Sequence, residues 1–219
     1  MRPRSKKHFE ERYEAVSPLL VKEPETAKGR WRELFPQTGL AEREKAKLRL
    51  EIGCGKGAFI SGMASADPNS CFVAMEVVPT VILMAMEKVW GDPVLREQDN
   101  VRFICGDARS VGDYFAENEV DAIYLNFSDP WPRPKQFKRR LTHPLFLETY
   151  KKILKPGGVI RQKTDNAPLF EFSLEQLKAC GFDTRVIESV PPDNIITEYE
   201  SRFVAEGLPI YRLEAVKPV

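Results

Sequence analysis

From Leu48 onward, short apolar runs alternate with stretches of helical spacing. Leu48–Ile52, Cys71–Glu76, Val101–Cys105, Asp121–Asn126 and Val159–Lys163 are too short for core helices, and each is followed closely by Gly, Ser, Asp or Asn, so they predict buried strands. Ala58–Ala66, Thr80–Val89, Leu145–Leu154 and Phe170–Ala179 predict helices between them. Lys155-Pro156-Gly157-Gly158 marks the end of the third helix and Gly181 that of the fourth. Thr184–Ser189 and Ile210–Ala215 predict two closing strands. Strands alternating with helices mean an α/β protein, a largely parallel sheet covered on both faces.

Before this pattern, residues 1–47 are polar and broken by Pro3, Pro18, Pro24 and Pro36. They read as a basic N-terminal arm with one or two short helices, ahead of a single domain at 48–219. Arg2, Arg4, Lys6 and Lys7 precede any acid, which suits either a nucleic-acid contact or a frayed terminus. The longest strongly apolar run, Val81 to Met86, falls far short of the roughly 20 residues that span a bilayer. No apolar stretch follows the basic start, so no membrane role and a cytoplasmic location are expected. The hydrophobic share of 42% and charged share of 30% exclude a wholly disordered or fibrous chain. With 33 basic and 32 acidic residues, net charge is silent on partners and only clustering informs. Cys54, Cys71, Cys105 and Cys180 form no CxxC pair and only His8 and His143 join them, so no metal site is expected.

The chemistry gathers at the strand ends. Glu51, Glu76, Asp107, Asp129 and Asp165 fall at or just past the C-terminal ends of successive predicted strands, which in an open α/β sheet line one ligand crevice. Packing does not explain such a set, because unpaired carboxylates repel one another and resist burial. Gly53, Gly55 and Gly57 form a turn from strand to helix, where the backbone bends sharply and a ligand must come close. The same segment fits a dinucleotide fingerprint, so the glycines alone do not choose. Glu51 tilts the choice, since it would repel a pyrophosphate and attract a cation. S-adenosylmethionine carries a sulfonium and an ammonium and has no phosphate. Glu76 then suits the ribose hydroxyls and Asp107 the region of the adenine.

Asn126-Phe127-Ser128-Asp129-Pro130-Trp131-Pro132 is the most specific segment. Its prolines stiffen the backbone that presents Asp129, and Trp131 offers a face for a base. From Pro130 to Leu147 there is no acid, while Arg133, Lys135, Lys138, Arg139 and Arg140 crowd together, which points to phosphate contacts.

With these residues in place, the chain resembles the bacterial tRNA (guanine-N7-)-methyltransferases. The resemblance runs through Met1-Arg2-x-Arg4, Trp31-x-x-x-Phe35, Glu51 to Gly57, Tyr124 to Pro132, Lys138 to Thr142, Lys163 to Asn166, Thr197 to Glu200 and Gly207-x-Pro-Ile-Tyr211. It implies the class I S-adenosylmethionine-dependent methyltransferase fold, a Rossmann-like sheet of seven strands with the last antiparallel. It implies Glu51, Glu76, Asp107 and Asp129 as the acids of the cofactor site, beside Gly53, Gly55 and Gly57 of the turn. It implies Arg133, Asp165, Thr197, Glu198, Tyr199 and Glu200 on the substrate. Asp129 is expected as the catalytic carboxylate, placed to stabilise the positive charge that appears on the purine, and the basic run gives Lys135, Lys138, Arg139 and Arg140 as the expected RNA contacts. The expected target is guanosine 46 in the tRNA variable loop, and the enzyme is expected as a monomer or homodimer. One departure stands out: the family reads Lys-Lys-basic-His after Trp-Pro, and this chain reads Arg133-Pro134-Lys135-Gln136. Three other readings remain: a methyltransferase for exocyclic amines, an NAD(P) oxidoreductase and a non-catalytic tRNA-binding module.

Overall fold

The computed structural model describes residues 8–35, 45–191 and 194–219, with Glu198 described by its backbone alone. The basic start expected to touch nucleic acid (Arg2 to Lys7) lies outside the described residues.

Seven strands form one sheet in the order β3-β2-β1-β4-β5-β7-β6. They are β1 (Leu48–Ile52), β2 (Cys71–Glu76), β3 (Val101–Cys105), β4 (Val120–Asn126), β5 (Leu154–Thr164), β6 (Asp183–Val186) and β7 (Tyr211–Val216). β1 to β5 run parallel, and β7 is antiparallel to both its neighbours. The order reverses between β1 and β4, the switch point where a crevice opens beyond the strand ends.

Strand side chains alternate between the two faces. Leu48, Leu50, Ile52, Ile123, Leu125 and Ile160 enter one apolar core with α6 (Pro144–Ile153) and α7 (Ala167–Ala179). Phe72, Ala74, Ala122 and Tyr124 enter the other, with α2 (Ala58–Ala66) and α3 (Pro79–Gly91). The same alternation sends Glu51 to the second face, away from Leu50 and Ile52.

Described residues before β1 pack against the domain body. Leu20 bridges Phe103 at the edge of β3, and Val21 N–H donates to the Phe103 carbonyl at 2.9 Å. Trp31 is fully buried, stacks on Phe115 at 4.9 Å and donates from Nε1 to the Tyr114 carbonyl at 2.8 Å. The buried Glu119 carboxylate accepts from the backbone N–H groups of Gly29, Trp31 and Ala116. Among the described residues the helix α1 (Phe9–Ala15) lies ahead of this segment, and the short helices α4 (Pro93–Gln98) and α5 (Val111–Tyr114) flank β3.

Two local features differ from the sequence reading. Leu154, expected as the last residue of a helix, already pairs with Val120, and the next pair is Ala122 with Val159. The segment Lys155 to Gly158 therefore bulges within one long strand rather than forming a loop before it. Thr197 to Glu200, which in isolation look like a polar turn, open the helix α8 (Glu198–Ala205). Thr197 Oγ1 accepts from the Glu200 N–H at 2.9 Å, and the Glu200 carboxylate returns to the Thr197 N–H at 3.4 Å, a reciprocal N-terminal cap.

Candidate active site

The glycine turn ties β1 to β2. Gly53 and Cys54 N–H both donate to the Met75 carbonyl, at 2.8 and 2.9 Å. Gly53, Gly55 and Gly57 have φ of 80°, 54° and 79°, a region other residues enter only at a cost. Their surroundings differ. A Cβ on Gly57 would lie 2.8 Å from Ala85 Cβ, so this glycine lets α3 pack against the turn. A Cβ on Gly53 or Gly55 would meet nothing within 4 Å, so these two face open space.

That space is a cleft of about 800 Å³ at the strand ends, lined by Gly53, Gly55, Glu76, Asp107, Asp129 and Trp131 among others. Glu76 closes β2. Its Oε2 accepts from Gly55 N–H at 3.1 Å and its Oε1 from Val77 and Val78 N–H at 2.8 and 3.1 Å. Asp107 follows β3, and its side-chain bonds to the Arg109 guanidinium hold its carboxyl below the usual range. Lys138 and Arg139 line the same cleft, so a cationic edge faces an acidic floor.

Asp129 sits on a strained loop. Phe127 and Trp131, on either side of it, have φ of 50° and 41°. Left-handed backbone at bulky residues persists only where the surroundings enforce it, and it clusters at functional sites. Phe127 N–H donates to the Lys163 carbonyl at 2.8 Å. Its ring meets Tyr199 at 5.5 Å and Phe203 at 6.3 Å, so the loop is braced against α8. Asp129 itself is exposed. The Arg139 guanidinium covers the Trp131 ring at 4.8 Å.

Glu51, in β1 two residues before the glycine turn, is only 1% exposed. Its Oε1 accepts from Asn126 Nδ2 at 2.9 Å, and its Oε2 has no partner. Burial pushes the carboxyl up to about 8, against the opposing pull of Asn126 and the Lys163 charge. An unpartnered buried carboxylate oxygen beside an open glycine turn fits a cationic ligand. S-adenosylmethionine has that charge, and Glu76 and Asp107 line the neighbouring cleft.

The substrate-side residues do not form one surface. Arg133 is exposed at the start of a 3₁₀ turn (Pro134–Arg139), and Lys135 and Lys138 are exposed within it. Asp165 is half-buried just beyond β5, and Tyr199 is exposed on α8. Glu200 departs from the expected substrate contact. It is fully buried, bonded to Lys163 Nζ at 3.0 Å and Arg212 Nη2 at 2.7 Å. Burial alone would raise its carboxyl, but these cations and Asn194 outweigh it and hold it low. Its carboxylate is consumed in anchoring α8. Arg140, expected on RNA, is buried as well.

Asn126 and Lys163 join this set; both open segments named in the sequence analysis, but neither was given a role there. Asn126 ends β4 and Lys163 is the last residue but one of β5, and they pair with each other in register. Position at a strand's C-terminal end, on the period-2 face of Glu51, was the signal available in the sequence.

Among the described residues, no helix is long and apolar enough to cross a membrane, and no group of three or more His, Cys, Asp or Glu side chains could hold a metal ion.

The sheet order, the glycine turn and the acid-lined cleft define a class I S-adenosylmethionine-dependent methyltransferase. Solved structures share the fold at low identity. An antibiotic-related methyltransferase matches with a TM-score of 0.58 at 18% identity, over 79% of this chain and 88% of that one. A SAM-dependent methyltransferase from Archaeoglobus fulgidus matches with a TM-score of 0.53 at 15% identity, over 89% and 94%. Residues 45–213 match the model of a putative methyltransferase family. A tRNA (guanine-N(7)-)-methyltransferase of Exiguobacterium sp. is 43% identical over 99% of this chain and 98% of its own length. Enzymes of the same name from Lactococcus lactis subsp. cremoris and Geobacillus kaustophilus are each 40% identical, covering 98% and 100% of this chain and 97% and 98% of theirs. The chain belongs to the tRNA (guanine-N(7)-)-methyltransferase family.

Proposed function

We propose that this protein methylates N7 of guanosine 46 in the variable loop of tRNA. The carrying observation is identity of 40–43% over almost the whole of both chains with relatives named for the N7 reaction. The acid-lined cleft supplies a place for that chemistry. The wider reading is a cytoplasmic enzyme acting as a monomer or homodimer.

S-adenosylmethionine, when bound, supplies an electrophilic methyl group on a sulfonium. Glu51, Glu76, Asp107 and the open edge of Gly53 and Gly55 hold it. Guanine N7 has a free lone pair at neutral pH, so no side chain must remove a proton. The burden falls on positioning, worth roughly 7–11 kcal/mol in favourable cases. Asp129, on its braced loop, faces the purine as that ring gains positive charge, and a fixed carboxylate stabilises a charge that appears only in the transition state. Asp165 and Glu198 are the candidates to accept from guanine N1–H and the exocyclic amine, which distinguishes guanine from adenine. Thr197 fixes the start of α8, and Tyr199 projects from that helix as a stacking face. Arg133, Lys135, Lys138 and Arg139 take phosphates, offsetting the few kcal/mol needed to unstack the base.

The test is incubation of the purified chain with unmodified tRNA and labelled cofactor, followed by mapping of the product. Label at N7 of guanosine 46, and none on a tRNA with adenosine there, is the expected result. Label at an exocyclic amine overturns the reading.

A further inference from the structure

The basic run after the Asp129 loop has two different fates. Lys135, Lys138 and Arg139 face solvent, whereas Arg140 is 4% exposed. Its guanidinium lies in the corner of two tilted aromatic rings, 3.8 Å from the Phe137 centroid and 4.5 Å from that of Phe172 on α7, the rings standing 5.8 Å apart at 56°. Its side-chain hydrogen bonds go to the loop that carries Asp129. Nε donates to the Pro130 carbonyl at 2.8 Å and Nη2 to the Trp131 carbonyl at 3.4 Å. Among the described residues no carboxylate forms an ion pair with it, though Glu171 and Glu175 line the hollow beside it. Burial without such a pair lowers its pKa.

These contacts suit guanidinium and nothing simpler. Two neighbouring carbonyls take a forked planar donor, and the delocalised cation rests against two aromatic rings. The loop needs the restraint. Trp131 is held at a φ of 41°, a strained conformation for a bulky residue, immediately after Pro130, whose ring leaves no N–H to bond elsewhere. The segment beyond is pinned to the same helix, since Thr142 and Ser173 share a buried hydrogen bond at 2.8 Å.

We propose that Arg140 is a positioning residue for methyl transfer: it clamps the Pro130 and Trp131 carbonyls against α7 and thereby aims Asp129 into the cleft, rather than binding RNA. The proposal rests on the catalytic reading of Asp129 given above. Lysine preserves charge and could replace an RNA-contacting arginine, but it has neither the fork nor the flat faces of this clamp. The two roles therefore separate on one substitution.

The experiment compares the full chain with Arg140→Lys and Arg140→Met, each labelled with 5-fluorotryptophan. The three tryptophans give three fluorine signals, and that of Trp131 is assigned with Trp131→Phe. In both variants the Trp131 signal should split or broaden while those of Trp31 and Trp90 hold. Turnover should fall about tenfold or more, as expected for a catalytic group displaced on the ångström scale, with the KM for tRNA within about threefold. The salt dependence of tRNA binding should not change. An unmoved Trp131 signal, wild-type turnover with a released loop, or a salt slope lost in Arg140→Met and restored in Arg140→Lys would each overturn the clamp. If Arg140→Met does not fold, Arg140→Lys decides by the same readouts. Failure of the wild-type chain to methylate tRNA would instead reject the proposed function, and the fluorine signals would still report the clamp.

Discussion

Glu51 gives the site a proton-linked cofactor affinity. Burial raises its carboxyl to about 8, so below that pH the ligand-free protein holds a proton that a sulfonium ligand would displace. If the bound state requires the carboxylate, affinity should fall about tenfold for each pH unit below 8. Because the group is already half protonated at pH 8, the loss between pH 8 and pH 6 is about fiftyfold, on the order of 2 kcal/mol. Calorimetric titration with S-adenosylmethionine across pH 6 to 8 measures it. Glu51→Gln provides the control: it keeps the shape and a hydrogen-bond acceptor but cannot titrate, so any slope left belongs to the ligand's own amine. The expected outcome is weak, nearly pH-independent binding to the variant beside a steep slope in the wild type. Equal slopes in the two proteins would refute the assignment. The same group sets a stability trend of defined sign. Because its folded pKa is raised, its contribution is complete below the unfolded carboxyl range, near 4.5, and is lost as pH rises towards 8. Ligand-free wild type should therefore lose stability across that window relative to Glu51→Gln.

Asp129→Ala should abolish methyl transfer while cofactor affinity drops less than about tenfold, because the side chain is exposed and other acids line the floor; near-normal turnover in a single-turnover assay rejects its role. Gly57→Ala should destabilise by about 1–3 kcal/mol in chemical denaturation, from left-handed backbone and the close approach of Ala85. Gly55→Ala has open space instead and should lower cofactor affinity more than stability, so equal unfolding midpoints for the two variants would contradict the packing argument. Replacing Lys138 and Arg139 together with Ala should reduce the slope of log affinity against log salt by about 1–2; an unchanged slope would remove them from the RNA surface.

Four of the parallel strands, β1 to β4, were legible because each is a short, mostly apolar and mostly buried run closed by residues that favour turns; β5 alternates instead, with Arg161 exposed between buried Ile160 and Gln162. Their C-terminal acids were legible for a related reason: an α/β sheet collects those ends in one crevice, so a residue's place along its strand already gives its side of the sheet. The bulge at Pro156 to Gly158 was not, because a Pro-Gly-Gly segment reads equally as a helix stop, and only the pairing of Leu154 with Val120 shows that the strand has begun. Trp31 shows the same limit. Its surroundings are polar and proline-broken, and its burial depends on Phe115 and Tyr114, more than eighty positions away.

The sequence by itself determined the alternation of strands and helices, the glycine turn and the acids at the strand ends, since these follow from periodicity and local punctuation, while the seven-stranded order with its antiparallel last strand was implied by the family resemblance. It could not decide which charges face inward. Lys138, Arg139 and Arg140 are neighbours of like charge, yet Arg140 turns into the cavity between Phe137 and Phe172 while the other two line the open cleft. Glu51 and Glu200 are both buried acids, yet the first is pushed towards its neutral form and the second held ionised. A charge takes its state from the dielectric and the partners around it. For these residues the partners, Asn126, Lys163, Arg212 and Phe172, arrive from distant parts of the chain only when the sheet and its helices close.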